Sequence, residues 1–455
     1  MKNMSLGRIA EACGGIYNGS EEQKNCIVES ITTDSRKVEA GCLFAAIPGE
    51  RVDGHRFIPN VFEQGALAVI SERELENSAG PYIQVESTLE AIKEIGRYYR
   101  QQLDIKVVGI TGSVGKTSTK EVIASVLSQK YNTLKTLGNF NNELGVPLTI
   151  FRLRDEHEIA VLEMGINHFG EMHRLSRIAR PDVCVITNIG QCHLEFLGDR
   201  DGVLRAKSEI FDYMAEDGAI ILNGDDDKLA QVQEVKGIQP VFFGIENGKE
   251  VYADQLENCG LKGIRCVLHA DGMSIAVQIP IPGHHMVLNA LAATAVGRRF
   301  GLTMEEIKAG IESLESLSGR FHIIEKDELV IIDDCYNANP VSMKASLDVL
   351  KDAAGRKVAI LGDMGELGED EERMHAEVGS HAAANGIDLL VCTGKVSAHM
   401  AEAARQKGGC KEVVHVSDLE TLLGALPSLI RKDDTVLVKA SHFMQFEKVV
   451  KELQK

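Results

Sequence analysis

The sequence predicts an α/β protein of three units, and three observations lead there. The chain has 455 residues, enough for roughly three domains at ~150 residues each. Short apolar runs alternate with helix-patterned segments along most of the length, the grammar of sheets flanked by helices. A glycine-rich turn at residues 109–117 stands between one such run and one such segment.

Composition narrows the class. Apolar residues make up 44% and charged residues 25%, an ordinary globular balance with a core large enough to fold without disulfides or a structural metal. The net charge of -18, with no Lys/Arg-rich run, argues against broad binding to nucleic acid or an anionic membrane. No stretch approaches the ~20 apolar residues of a membrane span, and the amino terminus lacks a signal-peptide apolar core. Ten scattered cysteines without a Cys-x-x-Cys pair, Cys184 and Cys392 inside apolar runs, predict free thiols in a reducing cytoplasm.

The first unit, residues 1–84, is a small α/β domain with apolar runs at 43–47, 66–70 and 82–85 between Gly- and Asp-bearing turns. A connecting helix begins at Ser87, where Ser87 and Glu90 read as a capping box. Leu89, Ile92, Ile95, Tyr99 and Leu103 then keep helical spacing. The second unit, 85–316, has strands at 106–111, 159–164, 183–188 and 219–223, a turn at 280–283, and an Ala-rich helix from about Val287. Its alternation predicts a doubly wound, mostly parallel sheet. The third unit, 317–455, repeats the rhythm as a Rossmann-like α/β domain with strands at 329–333, 357–361, 389–393 and 435–439. Polar residues follow the strand ends in both larger units: Thr111, Glu163, Asn188 and Asn223 in one, Asp334, Asp363, Lys395 and Ser441 in the other. Ligands bind at that edge of open α/β sheets, so two such sheets facing one another would enclose a cleft.

The sharpest chemical signal is the run Thr111-Gly112-Ser113-Val114-Gly115-Lys116-Thr117 between a strand and a helical pattern carrying Val122 and Val126. Its glycines let backbone N–H groups wrap phosphate, Lys116 offers a point charge, and the Thr117 hydroxyl suits Mg²⁺. Strict P-loop spacing asks for glycine at 110, where this chain has Ile. The guanine-reading Asn-Lys-x-Asp set is missing, so ATP is the expected nucleotide. Glu163, at the end of the next strong strand, is placed to ligate Mg²⁺. His193 and Lys207 alone read as a structural histidine and a solvated helix lysine. Asp333-Asp334-Cys335-Tyr336-Asn337-Ala338-Asn339-Pro340 is too polar for a core and suits ribose and adenine contacts, or else forms an Asn-Pro turn. Residues 362–368 form a glycine-punctuated acidic loop that also reads as a plain turn.

Together these segments resemble the Mur ligase family, the ATP-dependent amide-forming enzymes of bacterial peptidoglycan synthesis. The likeness covers essentially the whole chain. Thr111 to Thr117 reproduces the family's Thr-Gly-x-x-Gly-Lys-Thr, and residues 138–147, 163–171, 334–340 and 361–368 look like the member that adds D-alanyl-D-alanine to UDP-N-acetylmuramoyl-tripeptide. The resemblance implies that the carboxylate is activated as an acyl phosphate, with ADP and phosphate released. It also implies a monomer using ATP and two Mg²⁺ ions. Lys116 and Thr117 would hold the phosphates and a first Mg²⁺, Glu163 and His193 would complete magnesium coordination, and Lys207 would be carbamylated to an anionic ligand. Thr111 to Gly115 would line the phosphate loop, Asn289 would meet adenine, Arg320 the phosphates and Asp334 the ribose. Thr33, Asp34, Ser35 and Arg36, with Gly49, Asp53 and His55, would hold the uridine nucleotide. Asn139, Asn141 and Asn142 would face the sugar-peptide, and Tyr336 and Asn337 belong to the same expected substrate set. Two departures from the family's pattern stand out: Met286 where asparagine is common, and His442 where arginine is. The alternatives are a folylpolyglutamate-type ligase, which lacks a comparable uridine-binding domain ahead of the P-loop, and a nucleotide-gated binding module without amide chemistry.

Overall fold

The computed structural model describes residues 1–49, 52–245 and 248–455, and it contains three sheets in three α/β units. In the first, the order is Ile16–Asn18, Tyr82–Gln84, Ala68–Ser71, Cys42–Ala45, Ser30–Thr32, parallel except for the first pair. The second has nine strands. Its parallel part places the P-loop strand Lys106–Thr111 between Ile159–Glu163 and Val183–Ile186. Ile110 lies opposite Glu163 and Thr111 opposite Ile186, so three strands end side by side at one edge. The third sheet runs His322–Lys326, Leu329–Asp333, Asp434–Lys439, Arg356–Gly362, Leu389–Thr393, Glu412–Val416, parallel after the opening hairpin.

The apolar runs follow from burial on both faces. Because successive side chains point to opposite sides of a strand, Val107, Ala160, Leu162 and Cys184 enter one core, and Val108, Ile110, Val161 and Val185 enter another. Helices Thr88–Gln101 and Glu171–Ala179 pack into the first, and Lys116–Leu127 and His284–Arg299 into the second. The first core continues without a break into the amino-terminal unit through Met4, Leu6, Ile9, Leu43, Ile70 and Ile83. The carboxy-terminal unit has separate cores on the two faces of its own sheet.

Several predicted elements change in detail. The strands expected at 159–164 and 183–188 end at Glu163 and Ile186, although Met164 N–H and Thr187 N–H still donate to Ile110 O and Thr111 O at 2.8 and 3.0 Å. Ser87 caps its helix, accepting from the Glu90 N–H at 3.3 Å, but the Glu90 carboxylate binds Lys93 at 2.7 Å, so only half of a capping box forms. The Ala-rich helix begins earlier, at His284. The central sheet also gains the antiparallel strands Val251–Asn258, Ile264–Ala270 and Met273–Ile279. Their one-sided burial gave no continuous apolar run to read. No helix among the described residues is long and apolar enough to cross a membrane.

Candidate active site

The edge of the central sheet faces the edge of the carboxy-terminal sheet across a cavity of about 1010 Å³. The phosphate loop forms its floor. Gly115, with φ +82°, caps helix Lys116–Leu127 and leaves its first N–H groups free. Gly112 (φ +152°) passes so near Thr187 that a Cβ would lie 1.9 Å from the hydroxyl oxygen, so no other residue fits there. This glycine makes the turn, and Ile110, two residues earlier, is an ordinary buried strand residue. The loop is pinned from the neighbouring strand end. Asn188 Oδ1 accepts from Val114 N–H at 2.9 Å, while Asn188 Nδ2 and Thr187 Oγ1 donate to Val114 O at 2.9 and 2.7 Å. Lys116 Nζ donates to Gly112 O at 2.9 Å, and burial lowers its pKa.

Glu163 enters the same cavity almost wholly buried, at 1% exposure. Asn141 Nδ2 donates to its Oε1 at 2.8 Å, whereas Oε2 has no hydrogen-bond partner among the described residues and lies 3.9 Å from the Lys120 ammonium. A buried carboxylate oxygen left over in this way is a natural place for a cation. His193 lines the cavity with φ +51° and places Nδ1 3.1 Å from Glu366 Oε2 of the third unit. The histidine holds the Glu366 carboxyl below its usual pKa. Lys207 is not among the residues lining the cavity; it is 1% exposed, and its side chain makes no hydrogen bond or ion pair among the described residues. Burial first, then the charge of Lys116, push its pKa down to about 7. Its reading as a solvated helix residue is therefore wrong, because its helix Arg200–Ser208 turns it inward.

The third unit supplies the opposite wall. Arg320 donates to Thr117 Oγ1 at 3.3 Å and stacks its guanidinium 3.9 Å from the centre of the Tyr336 ring. Tyr336 and Asn337 line the cavity, and Asn339 caps helix Pro340–Lys351 in a full capping box. The expectation that Asp333 and Asp334 are too polar to be buried fails: they are 3% and 9% exposed and internally satisfied. Asp333 accepts from Ser318 Oγ and Gly319 N–H, and Asp334 accepts from Lys439 Nζ at 2.6 Å and Ser346 Oγ at 2.6 Å. Asn289 is fixed by Thr119 Oγ1, which donates to its Oδ1 at 2.8 Å, and its Nδ2 lies 3.2 Å from Met286 Sδ. Asn139, Asn141 and Asn142 line the cavity, but Asn142 Oδ1 is occupied capping helix Gly145–Ile150 through Gly145 N–H at 2.8 Å.

Not every predicted residue meets there. Thr111 ends the strand and Gly112 makes the turn, and neither lines the cavity. Thr33, Asp34, Ser35, Arg36, Gly49, Asp53 and His55 gather instead at the carboxyl edge of the amino-terminal sheet, away from the cavity wall. Asp34 is held near pKa 2 by the Arg36 guanidinium, which donates to it at 2.9 Å. Asp53 is held near pKa 2 by the His55 backbone and ring, with Arg73 adding to it. From this unit and the connecting helix, Ile47 and Leu89 reach the cavity. The sequence reading missed Lys120, Lys439 and Glu366 as neighbours of the site. Only the polar character of their segments could have hinted at them.

Known proteins carry the same pattern. Three family models match the chain: "Mur ligase family, catalytic domain" over residues 27–100, "Mur ligase middle domain" over 110–297 and "Mur ligase, glutamate ligase domain" over 319–442. The UDP-N-acetylmuramoyl-tripeptide–D-alanyl-D-alanine ligase of Bacillus subtilis is 38% identical over 100% of this chain and 99% of its own length. The crystal structure of MurF from Acinetobacter baumannii superposes with a TM-score of 0.87 at 35% identity, covering 99% of this chain and 98% of that one. MurF ligase from Thermotoga maritima, solved in complex with ADP, gives 0.81 at 31% identity over 93% and 97%. With all three units matched in order and relatives aligned end to end, the chain belongs to the Mur ligase family.

Proposed function

We propose that this protein, acting as a monomer in the bacterial cytoplasm, joins D-alanyl-D-alanine to UDP-N-acetylmuramoyl-tripeptide at the expense of ATP. One observation supports the reading: a phosphate loop, an incompletely partnered buried carboxylate and a third-unit wall carrying Arg320 and Tyr336 face one shared cavity. In this scheme residues 1–84 hold the uridine nucleotide through the segments around Thr33–Arg36 and Gly49–His55. Residues 85–316 bind ATP, and residues 317–455 close over it and receive the dipeptide.

Amide formation from a carboxylate and an ammonium is unfavourable in water, so the acid is activated first. The tripeptide carboxylate attacks the γ-phosphorus of ATP, an O–P bond forms, and ADP leaves. The dipeptide amine then attacks the acyl carbon, the C–O bond to phosphate breaks, and the ammonium proton goes to solvent. Lys116 and Arg320 meet the phosphates, and the loop N–H groups orient them. Asn141 holds Glu163 in place. Tyr336 and Asn337 guide the peptide ends.

Magnesium fits this donor set. Glu163 Oε2 and the Thr117 hydroxyl would supply hard oxygen ligands and His193 a nitrogen. When bound, the metal neutralises the repulsion between two anions. Lys207 suits carbamylation, since reaction with CO₂ needs an unprotonated amine and burial makes one available near neutral pH. The test is phosphate release from ATP by purified protein with UDP-linked tripeptide and dipeptide, supplied singly and together. Release that requires both is expected. Release indifferent to either substrate refutes the reading.

A further inference from the structure

Two residues that face one another across the boundary between the central and third units share an uncommon backbone. His193 (φ +51°) and Glu366 (φ +62°) both adopt the left-handed conformation without being glycine. Such strain is costly, and an exposed ion pair returns less than it takes. Stability therefore does not explain the arrangement. The loop carrying Glu366 is nonetheless built with care. His375, fully buried, accepts from Met364 N–H at 2.9 Å through Nε2 and points Nδ1 at Glu371 O, 2.7 Å away. Ser441 Oγ accepts from Gly365 N–H at 2.9 Å. These contacts hold residues 364–366 while the Glu366 side chain, 67% exposed, reaches His193. On the other side, His193 Nδ1 is buried, makes no well-aligned hydrogen bond among the described residues, and lies 3.1 Å from Glu366 Oε2.

We infer that Glu366 is a positioning residue for His193, delivered by the third unit. It engages Nδ1 and thereby leaves the Nε2 lone pair available in the active site only when the two units face one another. Fixing one ring nitrogen with a carboxylate determines which nitrogen can act as acceptor or ligand. The inference rests on the proposed role of His193 in the site and adds the group that prepares it. It also makes the readiness of the central unit depend on the position of the third.

Three variants of Glu366 separate positioning from simple support, and the exposure of this side chain keeps them foldable. Glu366→Ala is expected to lower kcat about tenfold or more while the KM for ATP stays within about threefold. Glu366→Gln, which keeps an acceptor for Nδ1–H, is expected to retain most of kcat. Glu366→Gly removes both the side chain and the backbone strain, so it should match or exceed the parent in Tm while losing kcat like the alanine variant. In the metal-free protein with bound ADP, ¹⁵N shifts of His193 should report Nδ1–H in the parent and in the glutamine variant, and a tautomer mixture in the alanine variant. Parental kcat and unchanged His193 shifts in Glu366→Ala, with His193→Ala inactive, overturn this inference alone. Parental kcat in His193→Ala overturns the assignment of His193 itself, and this inference with it.

Discussion

Folding has to strip water from the Lys207 amine, and the resulting pKa of about 7 lies below the usual lysine value of 10.5. Between those values the unfolded chain holds a proton that the folded chain has lost. Stability therefore rises with pH across this window, and the full penalty of burying the charge is present below about pH 7. In CO₂-free buffer, Lys207→Met is expected to raise Tm most at low pH, with the gain fading as pH approaches 10.5; thermal melts over that range check it. Lys207→Ala should lose nearly all ligase activity and recover part of it with added short carboxylates. A fully active, unsupplemented alanine variant would remove the proposed carbamate. At this scale the sequence is readable where the chemistry is contiguous, as from Thr111 to Thr117. It is opaque where partners meet through the fold. Lys439 and Asp334 are 105 residues apart, and neither segment announces the other.

Helix Thr88–Gln101 joins the amino-terminal and central units, and Tyr99 is its anchor. The ring is fully buried and its hydroxyl donates to Leu153 O at 2.7 Å. Arg154 Nη1 also donates to Leu153 O, at 2.7 Å, so Tyr99→Phe is expected to cost about 0.5–1.5 kcal/mol, the net value of one hydrogen bond, and Tyr99→Ala about 3–5 kcal/mol by opening a cavity. Urea denaturation followed by circular dichroism measures both. The legible elements were those buried on both faces: strands Lys106–Thr111, Ala219–Asn223, Leu329–Asp333 and Leu389–Thr393 run where the apolar residues do. The antiparallel strands Val251–Asn258 and Ile264–Ala270 expose residues on one face, such as Asp254 and Arg265, and so carry no continuous apolar run. Short polar strands such as Ser30–Thr32 exist because neighbours complete their ladder, a tertiary cause with no local mark.

Across the whole molecule, one core binds the first two units into a single body, while the third keeps its own. Calorimetry is expected to resolve two cooperative transitions, and nucleotide with substrates should draw them together by tying the third unit to the rest. A single transition unaffected by ligand would contradict that division. Small-angle scattering should report a smaller radius of gyration with ATP and substrates than without. Identical dimensions in both states would count against closure. The continuous first core also acts as a ruler. On the proposed placement of the uridine nucleotide at the carboxyl edge of the amino-terminal sheet, the span from there to the phosphate loop would be fixed by packed side chains that do not stretch. A stem one residue shorter loses up to ~3.5 Å of reach and leaves its terminal acid short of the γ-phosphate. Acceptors are thus sorted by length before any side chain is read, and a UDP-linked dipeptide should bind and yet release no phosphate.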